Sequence, residues 1–244
     1  MLDFGFYNED CMKGMKEFPD KYFDLAIVDP PYGDGGAHGN DKTRAGSAER
    51  STVIDHLHSS QRKRERERRS HEQAERGRAS SAKKIISWDV APKQDYFDEL
   101  FRISRNQIIW GGNYFYLPPT RCFLVWKKHI PENFSMAMCE YAWTSFNANA
   151  KVFEYPSIDN SGMRFHPTQK PIELYDWILR NYAEPGYKIL DTHVGSASSL
   201  IACKRLNFDF VGFEIDKEYY RLACERIARE TAQMTLTQYL GEMT

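Results

Sequence analysis

The sequence predicts an α/β fold, a doubly wound, mostly parallel sheet with an inserted polar region. Two observations carry this. Over the C-terminal third, apolar runs of strand length alternate with apolar residues at helical spacing. Apolar runs there and near the N-terminus stop on an acidic residue followed by a turn, at Asp29, Asp191 and Glu214. The carboxyl ends of strands are where open sheets of this class bind ligands.

The elements follow in order. A short strand precedes Asn8. Residues 23–28 (FDLAIV) read as a buried strand that ends at Asp29-Pro30-Pro31-Tyr32, because two prolines cannot continue a ladder; the Asp29 carboxylate is thus expected at the strand's C-terminal end. Residues 33–36 read as a loop. From about 37 to 84 the regular apolar pattern is lost. Within it, residues 61–78 hold eight Lys/Arg against four Glu, in a chain whose formal net charge is −1. That stretch is either a mobile polar arm or a solvated helix. Order returns at 85–88. A helix is expected at about 94–104, with Tyr96, Phe97, Leu100 and Phe101 on one face. Strand-like runs cover 107–110, 122–126 and 140–143, with turns at Gly111-Gly112-Asn113 and Pro118-Pro119 and a loop at about 155–168. Trp110, Trp126 and Trp143 end these runs and are expected in the core. Pro171 opens a helix to about Tyr182. A strand at 187–190 leads through a loop, 192–197, to a helix at 198–205. A strand at 208–213 precedes Asp216, which caps a long helix.

Three constellations carry chemistry. The first is Asp29-Pro30-Pro31-Tyr32. The nitrogen of an exocyclic base amine is conjugated with its ring and is a poor nucleophile. Acceptors on its hydrogens let it pyramidalise; the Asp29 carboxylate and the Pro30 carbonyl can be those acceptors, with the prolines fixing the backbone. Tyr32 can stack on a base drawn out of the duplex. A plain Asp-Pro turn after a strand is the competing explanation. The second is the loop Asp191 to Ser199 with Glu214 about 20 residues on. Gly195 lets a ligand approach the backbone and the acid suits two ribose hydroxyls. The loop has neither the lysine of a P-loop nor the spacing of a dinucleotide fingerprint. A ribose-bearing ligand without phosphates, such as S-adenosylmethionine, fits best; a tight strand-to-helix turn with a coincidental acid is the alternative. The third, His166-Pro167-Thr168-Gln169-Lys170-Pro171, precedes a helix. Thr168 or Gln169 can cap it, and Lys170 offers a charge to a ligand carboxylate. By itself this is equally a helix-entry turn.

Taken in this order, DPPY, a variable middle, HPTQKP, a cofactor loop and a strand ending in Glu214, the chain resembles the β arrangement of S-adenosylmethionine-dependent DNA amino-methyltransferases. Its middle segment, with IIWGGNYF and LVWKK, is similar to small phage-type adenine-N6 methylases. The resemblance covers about 1–33 and 85–230. It implies a Rossmann-like methyltransferase fold over 1–244, with 34–84 a mobile basic insertion and 129–165 a recognition region. Asp29, Pro30, Pro31 and Tyr32 would be catalytic. Asp191, Thr192, Gly195, Ser196, Ala197, Glu214 and Ile215 would hold the cofactor, His166, Thr168 and Lys170 its methionine end, and Asp10 and Cys11 its adenine. The family loop commonly has Pro-Phe where this chain has Thr192-His193, and glycine where it has Ala197. A positive φ at Ala197 would crowd the cofactor.

The implied activity is N6-adenine methylation of double-stranded DNA, of the restriction-modification kind, by a homodimer. Cytosine-N4 methylation, methylation of RNA or protein glutamine, and an inactive DNA-binding relative are the alternatives. The basic stretch 61–78 can grip phosphates. Methyl transfer from a sulfonium needs no metal, and no ligand set at metal spacing stands out. Five scattered cysteines argue against a disulfide framework. No run of about 20 apolar residues spans a bilayer, and the acidic N-terminus does not read as a signal peptide. The expected location is the cytoplasm of a bacterium or phage-infected host.

Overall fold

In the computed structural model, residues 1–33, 90–132, 137–157 and 164–241 are described, with side chains to 232. The chain forms two compact units, one of 1–30 and 92–244, the other of 31–91. The expected basic insertion at 34–84, the stretch 61–78 and the return of order at 85–88 lie outside the described residues.

The first unit is built on an eight-stranded sheet. Its strands are β1 (Gly5–Tyr7), β2 (Phe23–Val28), β3 (Ser104–Trp110), β4 (Phe123–Lys127), β5 (Cys139–Thr144), β6 (Lys151–Glu154), β7 (Lys188–Asp191) and β8 (Asp209–Phe213). They lie in the order β1-β8-β7-β2-β3-β5-β4-β6. Every pairing is parallel except the two made by β5, so β5 alone runs against the rest. Among the described residues, α1 (Cys11–Met15), α2 (Gln94–Ile103), α3 (Ile172–Tyr182) and α4 (Ser198–Arg205) lie between strands, and α5 (Lys217–Gly241) follows β8.

The central strands are buried because both faces are covered. In β2, Phe23, Leu25, Ala26, Ile27 and Val28 are all buried, which is why an unbroken apolar run rather than an alternating one encodes it. One core packs Ile27, Ile108, Trp110 and Trp126 with Leu174 and Ile178 of α3. A second packs Phe23, Val28 and Ile109 with Tyr96, Phe97 and Leu100 of α2. Trp110, Trp126 and Trp143 are core residues, as expected. Gly212 of β8 permits the close approach of the following layer. A Cβ there would stand 2.8 Å from Val194 and 2.9 Å from Leu200, too near for any side chain without repacking.

Boundaries agree with the sequence reading to within about three residues, with three differences. α1 and β6 were not expected: α1 is five residues long, capped by Asp10 Oδ1 accepting from Met12 N at 2.9 Å. β6 has an exposed, non-alternating pattern, with Val152 facing outward. Third, α3 starts at Ile172 with Pro171 at its N-cap and no side-chain cap, so neither Thr168 nor Gln169 caps it. Thr168 Oγ1 instead lies 3.2 Å from His166 Nδ1. Residues 129–165, expected as a recognition region, include β5 and β6 of the sheet; 133–136 and 158–163 within it lie outside the described residues.

Candidate active site

β2 and β7 are parallel neighbours, paired Leu25 with Ile189 and Ala26 with Leu190. Their carboxyl ends therefore meet one edge of the sheet side by side. Asp29 follows β2 and Asp191 ends β7. The sheet thereby brings together motifs some 160 positions apart in the chain, Asp29-Pro30 and the 191–197 loop. Pro31 and Tyr32 begin the second unit.

The Asp29 carboxylate is ion-paired through Oδ2 with Lys170 Nζ. Lys170 is 4% exposed and Asp29 16%. The same ammonium lies 3.1 Å from Glu140 Oε2, whose other oxygen is 2.5 Å from Lys128 Nζ, and it sits over the Trp110 ring at 5.3 Å from the centroid. Burial opposes the charge on both Lys170 and Glu140. The attraction outweighs it: Asp29 and Glu140 push the Lys170 pKa up, and Lys170 and Lys128 hold Glu140 below the usual carboxylate range. The sequence reading gave Lys170 to a ligand carboxylate; in the structure its charge faces Asp29. Glu140 was missed, since a lone acid in a strand carries no local signal.

The end of β7 is built differently. Asp191 is 3% exposed and has no ion pair among the described residues. It accepts from Ser199 Oγ and, at 2.9 Å, from His193 N. Burial, only partly offset by these bonds, pushes its pKa up to about 7. Thr192 Oγ1 bridges Tyr96 OH at 2.6 Å and His193 Nδ1 at 2.9 Å. Burial drives His193 down to about 4, so the imidazole is neutral. His166 is likewise driven to about 4, by burial first and then by Lys170 and Arg164. Its ring crosses that of Tyr219 at 4.5 Å and closes on Gly195, where a Cβ would be 3.2 Å from it. Gly195 also has φ of +52°. A side chain there would meet both strain and crowding.

Ala197 has φ of +64°. The condition under which its methyl group matters is therefore met, at a strain on the order of 1 kcal/mol relative to glycine. Arg226, on α5 and 3% exposed, donates to Ser196 O and Ser198 Oγ, both at 2.8 Å. Ser198 Oγ in turn donates to Lys170 O at 2.7 Å. Arg226 ties the loop to the HPTQKP turn; the sequence reading missed it, because one arginine in a polar helix looks like a solvated one.

Glu214 closes the edge. Its Oε2 accepts from Gly195 N at 2.9 Å and its Oε1 from Asp216 N at 2.8 Å, and burial raises its pKa. Each oxygen has a second lone pair, so the carboxylate can still accept from two hydroxyls. Ile215 beside it is exposed, an apolar face next to the acid. Asn8 Nδ2 donates to Glu214 O at 2.7 Å and so fixes the 8–11 turn against this strand end. The Asp10 carboxylate caps α1, and Cys11 is a neutral thiol, raised to about 12 by burial and then by Asp10. An acceptor for vicinal hydroxyls, an apolar neighbour and a glycine approach fit a nucleoside-bearing cofactor. Among the described residues no cluster of three His, Cys, Asp or Glu can hold a metal ion, and no helix is long and apolar enough to cross a membrane.

A family model described as DNA methylase matches residues 41–225. The Type II methyltransferase M.HpaI of Haemophilus parainfluenzae is 36% identical over 83 residues, 34% of this chain and 26% of that protein. The Type II methyltransferase M2.DpnII of Streptococcus pneumoniae is 40% identical over 65 residues, 27% of this chain and 24% of that protein. The matches thus span about a quarter of the length of these curated relatives. Among solved structures, the M1.HpyAVI–SAM complex has a TM-score of 0.51 at 18% identity, covering 91% of this chain and 98% of that one. PvuII DNA methyltransferase (cytosine-N4-specific) has a TM-score of 0.53 at 12% identity, covering 94% and 92%. At these identities the likeness bears on the fold, which is the α/β fold expected.

Proposed function

The chain belongs to the N6/N4 DNA methylase family, and on that premise we propose that it transfers a methyl group from S-adenosylmethionine to the N6 amino group of adenine in DNA. The observation that carries the reading is the adjacency of β2 and β7. It sets the Asp29-Pro30 acceptors beside the loop and acid suited to the cofactor. When bound, S-adenosylmethionine supplies a methyl group already activated on a sulfonium. The chain's own part is to receive the base, orient its amine and take up charge.

In this reading Glu214 accepts from the ribose hydroxyls, Ile215 covers the adenine, and Gly195, Ser196 and Ala197 line the loop. Asp10, Cys11, Asp191, Thr192, His166 and Thr168 shape its surroundings. Asp29 and the Pro30 carbonyl accept the two amino hydrogens of the target base, so the nitrogen lone pair turns out of the ring plane. As the nitrogen becomes positive, the Asp29 carboxylate stabilises it, and the surplus proton leaves to that carboxylate or to water. The roles of Pro31 and Tyr32, the latter stacking on the extruded base, rest on the motif alone. The choice of adenine rests on the aspartate of the motif.

The test is incubation with S-adenosylmethionine and unmethylated duplex DNA of varied sequence, followed by digestion and mass spectrometry of the nucleosides. N6-methyladenine is expected, with a loss on the order of 1,000-fold for Asp29→Ala. N4-methylcytosine would overturn the choice of base. Cofactor binding with no methylated nucleoside would point to an inactive relative.

A further inference from the structure

An acceptor for a base amine has to be ionised and aimed before the base arrives. In a site that excludes water, burial works against the first requirement and rotamer freedom against the second. Lys170 answers both, because its buried ammonium pairs with Asp29 Oδ2. A single carboxylate would be enough for a structural ion pair. Here the ammonium is shared with Glu140 Oε2 at 3.1 Å, and Glu140 is delivered by the one strand that runs against the sheet. A carboxylate that has an ammonium to itself is a poorer acceptor for a third group. One that shares it keeps more of its negative charge.

We propose that Lys170 and Glu140 are positioning residues for the transfer: Lys170 anchors the Asp29 carboxylate and supplies its counter-charge, and Glu140 limits how much of that carboxylate's charge Lys170 consumes. The proposal rests on the reading of Asp29 as the acceptor. Among the described residues, the titratable groups that face Asp29 come from several elements. Lys170 precedes α3, Glu140 comes from β5 with Lys128 beyond it, Asp191 ends β7, and Tyr175 of α3 and Tyr96 of α2 feel its charge. Burial raises both tyrosines, which stay neutral. Lys170 is thus the cation in contact with Asp29 among the described residues.

The experiment uses the full chain with duplex DNA and S-adenosylmethionine. Single-turnover methyl transfer is followed across pH for the wild type, Lys170→Gln, Lys170→Arg and Glu140→Gln. The Asp29 carboxylate is titrated in parallel by carbon NMR of the cofactor-free protein. Lys170→Gln removes the ammonium that Asp29 and Glu140 share and leaves Glu140 with Lys128. Its rate is expected to fall on the order of 100-fold. Its acid limb and the Asp29 titration should both move up in pH, and Lys170→Arg should restore most of that shift. Glu140→Gln is expected to slow transfer about ten-fold while moving both down, with cofactor affinity unchanged. If Lys170→Gln does not fold, the arginine and Glu140 variants still decide. Rate losses with an unmoved acid limb and an unmoved Asp29 titration would mean a merely structural pair and overturn the proposal. A wild type that methylates no base would overturn instead the function on which it rests.

Discussion

The ends of β2 and β7 lie side by side on one sheet edge, yet their aspartates are held by opposite means. Asp29 is countered by a buried ammonium, whereas Asp191 is more deeply buried and held by a hydroxyl and a backbone N–H. A cation beside a buried carboxylate favours its charged form. A carboxylate given neutral donors pays for its desolvation in its pKa, here pushed up to about 7. The first arrangement suits a group that must accept from an incoming molecule. The second suits a group that organises a turn.

The strongest way to break this contrast is Asp191→Asn. With a folded pKa above its unfolded value, Asp191 contributes stability that is fully present below the ordinary carboxylate pKa and is lost as the pH rises through about 7. The asparagine variant lacks that loss, so the difference variant minus wild type should grow in the variant's favour across that window, by a few kcal/mol at order of magnitude. His166 and His193, both driven to about 4, act oppositely: the stability they contribute is present above their ordinary pKa and is lost as the pH falls towards 4. They do so in both proteins and cancel in the difference. Thermal melts at matched pH values measure it, and a flat difference would mean that Asp191 stays ionised.

A smaller effect is expected from Arg226→Met. It removes the cation that grips the β7 loop by Ser196 O and Ser198 Oγ rather than by the aspartate. The orphaned acceptors should cost about 2–3 kcal/mol in urea unfolding, and weaken cofactor binding in calorimetry. No loss would show that the loop needs no cation at all, which would sharpen the contrast with Asp29. The smallest effect belongs to Ala197→Gly. Relief of a left-handed alanine is set against the added freedom of glycine in the unfolded chain, so the change should be stabilising by less than about 1 kcal/mol. Tighter cofactor binding is expected with it; weaker binding would show that the methyl group packs usefully.

The parts legible in the sequence were those whose signal is local. β2 announces itself by an apolar run cut off by two prolines, and the β7–α4–β8 passage by its alternation, so Asp29, Asp191 and Glu214 were placed correctly at strand ends. β6 was not legible, since Val152 faces outward and no alternation marks the strand. Nor were the partners of the aspartates. Lys170 stands 141 positions from Asp29 and was assigned to a ligand. Glu140 and Arg226 acquire meaning only when a strand and a helix bring them to the edge. Pairings that distant depend on topology, and the periodicity of a single segment does not encode it.

Delivery of Glu140 from within strand β5 gives the site an odd–even parity. Glu140 pairs with Trp126 and Ala142 with Leu124. Side chains alternate between the two faces at every step, so a single-residue insertion or deletion between 139 and 144 would turn Glu140 to the far side of the sheet without altering its place in the sequence. Two contacts guard the count. Ser145 Oγ accepts from Gln107 N at 2.9 Å, and Thr144 Oγ1 donates to Cys122 O at 2.7 Å. The sharing of Lys170 between two carboxylates is thus tied to the register of β5, which its ladders to β3 and β4 set and these two hydroxyls reinforce at the strand's far end.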